Sequence, residues 1–149
     1  MKFYDYIESN KDKVIDIYFD MDGVLAEYDV GNFDYSTIRP IETVINAMKE
    51  LYIKYNVKIL SVCITNKIVE DKYIWLDKYM PFFDPDDAIF LSKEEREGID
   101  SKDLKSDYLK ENTKSNHVTI MVDDDSSVIK TIRKNNEDVK IFHVSSLIK

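Results

Sequence analysis

The chain has 149 residues, of which 44% are apolar, and this is enough for one domain with its own core. The 29 acidic residues outnumber the 21 basic ones, and a net charge of −8 argues against a protein that coats nucleic acid or an anionic membrane surface. The single cysteine, Cys63, excludes an internal disulfide and a cysteine-based zinc cluster. No apolar run approaches transmembrane length, and the charged start is unlike a secretory signal. We expect one cytoplasmic domain over residues 1–149 with no membrane partner.

Short apolar runs rich in β-branched and aromatic residues alternate along the chain with stretches of helical periodicity. This alternation predicts an α/β fold in which a doubly wound parallel sheet has helices on both faces. Ligands bind such sheets at the carboxyl ends of the strands. The predicted strands are Val14–Phe19, Val57–Val62, Ala88–Leu91, Val118–Val122 and Lys140–Val144, and apolar stripes predict helices over residues 41–55, 69–80 and from 128 onward.

Two carboxylates follow the first predicted strand. Asp20 and Asp22 have one residue between them, so an extended chain directs both to the same side, and Gly23 lets the chain turn sharply afterwards. Paired carboxylates repel each other, so that one ionises readily while the pKa of the other is raised. The pair suits a division of labour, with Asp20 as nucleophile or metal ligand and Asp22 as general acid and base.

A second acidic group, Asp123–Asp125, follows the fourth predicted strand. Three successive carboxylates are costly without a counter-ion, and a Mg²⁺ ion bridging the two strand ends would offset that cost. The alternative interpretation is a turn and a helix cap, with Asp125 or Ser126 at the N-cap position. The presence of Asp20 and Asp22 at another strand end favours the metal site.

The segment FDMDGVLAEYD resembles the first motif of the haloacid dehalogenase-like phosphohydrolases, and the acidic run after the fourth strand resembles their last motif. Within that superfamily the chain looks most like the cytosolic type C 5′(3′)-deoxyribonucleotidases and their small bacterial and phage relatives. The resemblance extends from Asp16 to about Ile132. It implies a Mg²⁺-dependent phosphatase that forms an aspartyl-phosphate on a small phosphomonoester, most plausibly a nucleoside monophosphate and not a nucleic-acid polymer.

The resemblance also implies roles for single residues. Asp20 corresponds to the nucleophile and a metal ligand, and Asp22 to the general acid and base whose backbone carbonyl faces the metal. Asp123 corresponds to a metal-binding aspartate with Asp124 as its acidic neighbour. Ser61 corresponds to the hydroxyl that binds the phosphoryl group, with Thr65 as the alternative.

Two lysines compete for the role of charge partner to the nucleophile. Lys105 precedes the acidic cluster by 18 positions, which leaves room for a short helix and a strand, and it is the preferred candidate. Lys72 lies in a K-x-x-W pattern and is a candidate substrate-binding residue. Its alternative is a side chain that extends to solvent beside Trp75.

Residues 26–39, which we call the flap, are too short to form the helical cap of larger relatives. The flap carries Tyr28, Phe33 and Tyr35 as stacking surfaces for a substrate, with Tyr28 and Phe33 as the candidate binding residues. The competing function is a phosphate-binding or receiver-like phospho-acceptor module without turnover. Against it, a receiver carries its acceptor aspartate after the third strand, where this chain has Leu91 and Ser92.

Overall fold

The structure, a computed structural model, describes residues 1–148, and within them five strands alternate with five helices. All five predicted strands and the three predicted helical stripes are observed, and the α/β fold is confirmed. The strands are β1 (Val14–Phe19), β2 (Asn56–Cys63), β3 (Ala88–Ser92), β4 (His117–Asp123) and β5 (Val139–His143). The helices are α1 (Phe3–Ser9), α2 (Glu42–Lys54), α3 (Asn66–Tyr79), α4 (Ser101–Asn112) and α5 (Ser126–Asn135).

The five strands form one parallel sheet in the order β3-β2-β1-β4-β5. The chain moves outward from β1 to β3 and then returns to the other side of β1 with β4. The strand order therefore reverses between β1 and β4, and the loops after these two strands diverge to opposite faces. Sheets of this kind bind ligands in the crevice at that reversal, outside the carboxyl ends of the strands. The two acidic segments of the sequence lie at this point.

Helices cover both faces of the sheet. Alternation along β1 directs Ile15 and Ile17 into an apolar cluster shared with α1, α2 and α3, while Tyr18 belongs to a second cluster shared with α4 and α5. Strands buried on both faces read as unbroken apolar runs, which explains why they were visible in the sequence. None of the helices within residues 1–148 has the length and apolar character needed to cross a bilayer.

Helix α4 has the weakest sequence signal, and its position differs from the expectation. The sequence left room for a helix after Lys105, but α4 begins at Ser101 and carries Lys105 in its second turn. The buried face of α4 includes polar side chains beside Leu104 and Leu109, among them Ser106, which accepts a hydrogen bond at 2.9 Å from the side-chain amide of Asn136. Polar residues on the buried face interrupt the apolar periodicity by which a helix is recognised.

The flap leaves the sheet after β1 and returns to it before α2. Its base is closed by hydrogen bonds from the Glu27 amide to the Arg39 carbonyl at 2.9 Å and from the Ile41 amide to the Leu25 carbonyl at 2.8 Å. A single 3₁₀ turn, Tyr35–Thr37, lies in its second half. The flap is therefore a loop tied at its base directly beside the carboxyl edge of the sheet.

Candidate active site

Asp20 and Asp22 follow β1 on the same side of the chain. The Asp20 amide donates to a carbonyl of β4 at 2.9 Å, so this residue is still held alongside the neighbouring strand. Met21 between the two aspartates is fully buried in the core. Gly23 has a φ of +80°, which side chains rarely adopt, and a Cβ at this position would overlap the carboxylate of Asp124. The glycine thus permits both the turn after Asp22 and the close approach of the loop after β4.

Lys105 links the two acidic loops. Its Nζ lies 2.9 Å from Oδ1 of Asp20 and 2.8 Å from Oδ2 of Asp123. The three side chains are nearly inaccessible to solvent, with exposed fractions of 6%, 8% and 0%. Burial lowers the pKa of Lys105, but the two carboxylates outweigh burial and the pKa is raised on balance. Lys105 therefore remains an ammonium group between Asp20 and Asp123.

The site carries more negative charge than its lysine neutralises. Burial raises the pKa of Asp20, Lys105 opposes the rise, and Asp123 and Asp22 add to it, with a net result of about 7. The pKa of Asp124 is also raised, by burial and by the charge of Asp20. Neighbouring carboxyl groups with raised pKa values mark a place where one more positive charge would be stabilising.

The carboxylates form a set that fits a hard cation. Asp20, Asp123 and Asp124 each offer one oxygen, and these oxygens lie within 4.8 Å of one another. Oδ1 of Asp123 accepts the backbone N–H groups of Asp124 and Asp125 at 2.8 and 3.0 Å, which fixes the orientation of that carboxylate. Carboxylate oxygens are the ligands that Mg²⁺ prefers. Oδ2 of Asp123 accepts a hydrogen bond from Lys105 and keeps a second lone pair.

Asp22 belongs to a different group of contacts. Its Oδ2 accepts a hydrogen bond from Nζ of Lys72 at 2.9 Å, and its Oδ1 accepts one from the hydroxyl of Tyr35. Burial and the charge of Asp22 raise the pKa of Tyr35 far above its ordinary value, so the hydroxyl stays a donor. The side chain of Asp22 is not in the group of three carboxylates that could hold a metal, and the metal contact expected of its backbone carbonyl stays a prediction.

Lys72 and Ser61 form a buried pair, which corrects the alternative in which Lys72 extends to solvent. Lys72 is 1% exposed and does not extend to solvent beside Trp75. Ser61 is fully buried and accepts a hydrogen bond from Nζ of Lys72 at 2.9 Å, because position 61 lies two residues before the end of β2 and faces α3. Ser61 thus supports Lys72 and lines neither of the cavities described below. The alternative, Thr65, is the N-cap of α3 and accepts the Ile68 amide at 3.2 Å.

Two cavities open at this edge of the sheet and share Asp22, Tyr28, Val62 and Ile64. One, which we call the acidic cavity, has a volume of about 380 Å³ and contains Asp20, Lys105 and Asp123–Asp125. The other, the flap cavity, has a volume of about 220 Å³ between the flap and the start of α3. The flap cavity is lined by Asp22, Glu27, Tyr28, Asp29, Gly31, Asn32, Phe33, Tyr35, Ile38, Val62, Cys63, Ile64, Ile68 and Lys72. Asp22 therefore lies between the acidic cavity and the flap cavity.

The three aromatic residues of the flap separate into two kinds. Tyr28 and Phe33 are 68% and 62% exposed and line the flap cavity, as a stacking surface requires. Tyr35 is 7% exposed and contacts Asp22, so it is not free to stack on a substrate. Sequence reasoning missed this contact. The available signal was the turn chemistry around it, since Asp34 accepts the Ser36 amide and begins the 3₁₀ turn that carries Tyr35 inward.

Comparisons with known proteins support the fold only. No family model and no curated protein matches the chain. A chain of the Pnkp1/Rnl/Hen1 complex superimposes with a TM-score of 0.66 at 16% identity, covering 88% of this chain and 46% of that one. A chain of the Pnkp1/Rnl/Hen1 RNA repair complex gives a TM-score of 0.65 at 17% identity, covering 89% and 42%. This chain thus spans less than half the length of the structures it matches.

These comparisons correct the family expectation drawn from the sequence. The resemblance to the haloacid dehalogenase-like phosphohydrolases was wrong as a family assignment, because the similar structures belong to an RNA repair complex and no family model or curated sequence supports the assignment. A short acidic motif after a strand is a pattern that chemistry can impose on unrelated chains. The geometry of the site residues is therefore the basis for their roles.

Proposed function

We propose that this protein is a Mg²⁺-dependent phosphomonoester hydrolase that acts through an aspartyl-phosphate on Asp20. The observation that carries the proposal is the pairing at the strand ends. Asp20 lies against Lys105 and the acidic loop after β4, while Asp22, two residues later, has its own partners and lines the flap cavity as well as the acidic cavity. A nucleophile and a proton donor held in different surroundings is the arrangement that phosphoryl transfer with a poor leaving group needs.

The charges of the site fit a metal-bound phosphate. When all four are ionised, the carboxylates of Asp20, Asp22, Asp123 and Asp124 exceed the two ammonium groups of Lys72 and Lys105 by two negative charges. Asp20, Asp123 and Asp124 would hold the cation. When bound, Mg²⁺ would supply positive charge to the phosphoryl oxygens, where charge builds up during transfer. A phosphate dianion would otherwise be repelled by the carboxylates that must react with it.

In the first step Asp20 attacks phosphorus with a carboxylate oxygen. The bond between phosphorus and the leaving oxygen breaks, and protonated Asp22 gives its proton to that oxygen. Lys105, whose ammonium group is 2.9 Å from Oδ1, opposes the rise in the pKa of Asp20 and so favours the ionised form that attacks. The proximity of nucleophile, cation and acid in one crevice supplies orientation, which is the main source of acceleration in phosphoryl transfer.

In the second step water attacks the phosphorus of the aspartyl-phosphate. Asp22, now ionised, takes a proton from that water as the bond between phosphorus and Asp20 breaks. Inorganic phosphate leaves and Asp22 is protonated again, so the enzyme returns to its starting state. The partial exposure of Asp22, 35% of its side chain, is compatible with water reaching it.

The flap cavity supports a nucleoside monophosphate as substrate. It adjoins Asp22, where the leaving oxygen must lie, and it offers the exposed rings of Tyr28 and Phe33 to a flat group. Stacking of this kind accepts any base, because every base has a π-face. The cavity also carries Glu27 and Asp29, and these carboxylates would repel the further phosphates of a polynucleotide.

The strand order argues against the competing phospho-acceptor module. The order here is β3-β2-β1-β4-β5, whereas receiver-type sheets have the order 2-1-3-4-5. In that other order the third strand lies next to the first, and its end carries the acceptor. In this chain β3 is at the edge of the sheet, remote from β4.

The test measures phosphate release from a panel of nucleoside monophosphates, sugar phosphates and 4-nitrophenyl phosphate, with Mg²⁺ and with a chelator. An RNA oligonucleotide with a terminal phosphate belongs in the panel, because the similar structures come from an RNA repair complex. We expect repeated turnover that requires Mg²⁺ and an acid-stable, hydroxylamine-sensitive phosphate on Asp20 after rapid quenching. Phosphorylation without turnover would support the phospho-acceptor module instead.

The first mutational prediction concerns the nucleophile. Asp20→Asn should reduce turnover at least about 10³-fold, because an amide cannot attack phosphorus, and should abolish the trapped intermediate. Asp12→Asn, which removes an exposed carboxylate just before β1, is the matched control and should leave both unchanged. Near-normal activity of Asp20→Asn would overturn the covalent mechanism.

A further inference from the structure

We infer that Tyr35 is the positioning residue of the acid–base group: its hydroxyl holds the carboxylate of Asp22 in the orientation in which Asp22 exchanges a proton with the leaving oxygen. The inference rests on the proposed function, within which it gives the flap a role in the chemistry. The sequence suggested only a stacking surface at position 35. The contacts of the buried ring indicate a different role.

Both oxygens of the Asp22 carboxylate accept a hydrogen bond. The Tyr35 hydroxyl donates to Oδ1, and Nζ of Lys72 donates to Oδ2 from 2.9 Å. Lys72 is fixed in turn by Ser61 at 2.9 Å. Two donors on different oxygens prevent rotation of the carboxylate about its own axis, while the second lone pair of each oxygen remains available for a proton. Removing one donor would leave a single contact about which the group can turn.

Tyr35 is itself held from behind by α3. Its ring packs edge-on against the indole of Trp75, with ring centroids 6.2 Å apart. The indole N–H of Trp75 donates to the Ile38 carbonyl at 3.0 Å and thus ties the second half of the flap to the helix. Trp75 is 3% exposed, so this anchor belongs to the core. The position of the Tyr35 hydroxyl is therefore determined by core packing and does not depend on bound substrate.

The two halves of the flap thus differ in exposure and in the role that we infer for them. Tyr28 and Phe33 in the first half are exposed and face the cavity. Tyr35 in the second half is buried and touches the acid–base group. A change in the first half should alter substrate affinity, whereas a change at Tyr35 should alter the proton transfer.

The chemistry provides a readout that a merely structural residue would not move. An alkoxide leaving group needs a proton from Asp22, but 4-nitrophenolate leaves readily without one. A misoriented Asp22 should therefore slow the hydrolysis of alkyl phosphates and spare that of 4-nitrophenyl phosphate. The parameter to compare is kcat/KM, because it reports the steps up to the first transfer and excludes the later hydrolysis of the intermediate.

The experiment compares the wild type, Tyr35→Phe and Tyr52→Phe on a series of alkyl and aryl phosphates. Tyr52→Phe is the matched control, since it removes another tyrosine–aspartate hydrogen bond, of 2.6 Å to Asp87, away from both site cavities. We expect Tyr35→Phe to lower kcat/KM for alkyl phosphates about 10- to 100-fold and that for 4-nitrophenyl phosphate less than about threefold. Tyr52→Phe should leave kcat/KM unchanged for both the alkyl phosphates and 4-nitrophenyl phosphate.

A loss of equal size on all substrates, or no loss on alkyl phosphates, would overturn the role of Tyr35 while the phosphatase proposal stands. A wild type without phosphatase activity would overturn both. Trp75→Phe serves as the second variant if thermal unfolding shows that Tyr35→Phe is poorly folded. It keeps an aromatic ring but removes the indole donor to Ile38, and it should cause a smaller loss with the same dependence on the leaving group.

Discussion

The two buried lysines form ion pairs with different carboxylates of the site. Lys105 lies between Asp20 and Asp123, and Lys72 lies between Asp22 and Ser61. A buried ammonium without partners is costly, so each lysine needs its carboxylates as much as they need it. This mutual dependence keeps Asp20 and Asp22 beside different ammonium groups although they are two residues apart.

Gly23 provides a test of how tightly the two acidic loops are packed. Gly23→Ala should lower the free energy of unfolding by about 1–2 kcal/mol from the left-handed backbone alone, and by a further 1–3 kcal/mol because the new Cβ would overlap the Asp124 carboxylate. Gly98→Ala is the matched control, since Gly98 has the same φ of +80° but open space around it. Urea unfolding of both variants separates the two contributions. Equal losses would show that the loops are free to move apart.

At the scale of elements, the site depends on where each connecting segment joins the sheet. The loop after β1 supplies Asp20 and Asp22, the loop after β4 supplies Asp123 and Asp124, and α3 and α4 each supply one lysine. The helices cover opposite faces of the sheet, so the two ammonium groups approach the crevice from opposite sides. The flap then closes the side next to α3.

The exposed rings of the flap lead us to expect that affinity depends on whether the substrate carries a base. The double variant Tyr28→Ala and Phe33→Ala should raise KM for nucleoside monophosphates about 5- to 50-fold, because stacking on an aromatic side chain contributes about 1–3 kcal/mol per base. KM for a small alkyl phosphate should stay within about twofold. Val30→Ala, another exposed apolar change on the same flap, is the control. A similar rise in KM for both substrates would mean that these rings shape the site without binding the base.

At the scale of the whole molecule, an acidic protein carries a cluster of three carboxylates, those of Asp20, Asp123 and Asp124, at one edge of the sheet. The net charge of −8 disfavours any anionic ligand at long range. A phosphate could approach only where cations reverse the field, and the acidic cavity combines Lys105 with a set of carboxylates suited to a divalent ion. Affinity for a substrate should therefore depend on the metal more than in a basic protein.

Mg²⁺ should stabilise the folded chain even without substrate. A ligand that binds only the folded state at 100 times its dissociation constant adds about 2.7 kcal/mol, which corresponds to an increase in Tm of roughly 5–10 °C for a domain of this size. Asp124→Asn should reduce the increase by more than half, because it removes one of the three clustered ligands. Asp12→Asn should leave it intact.

Thermal unfolding with and without millimolar Mg²⁺ provides the measurement. It is independent of any assumption about the substrate, since no turnover is involved. A wild-type Tm that does not respond to Mg²⁺ would contradict the metal site. An equal increase in the Tm of Asp124→Asn would show that the Mg²⁺ site does not include the loop after β4.

Local sequence was sufficient for the fold and for the acidic half of the site. Strands buried on both faces appear as apolar runs, and the aspartates that follow two of them needed only chain order to be assigned to the same sheet edge. The turn glycine after Asp22 and the helix cap at Asp125 were likewise readable, because both depend on neighbours in sequence.

The tertiary structure decided everything that depends on contacts between distant segments. Lys72 and Ser61 are 11 positions apart, and Tyr35 is 13 positions from Asp22, so no periodicity connects them. In a sequence, a buried lysine cannot be told from a surface lysine, nor a buried tyrosine from an exposed tyrosine that could stack on a substrate. Only the packing in the structure distinguishes them. The acidic motif could be recognised from the sequence, but its partners exist only where the flap, α3 and α4 meet the sheet.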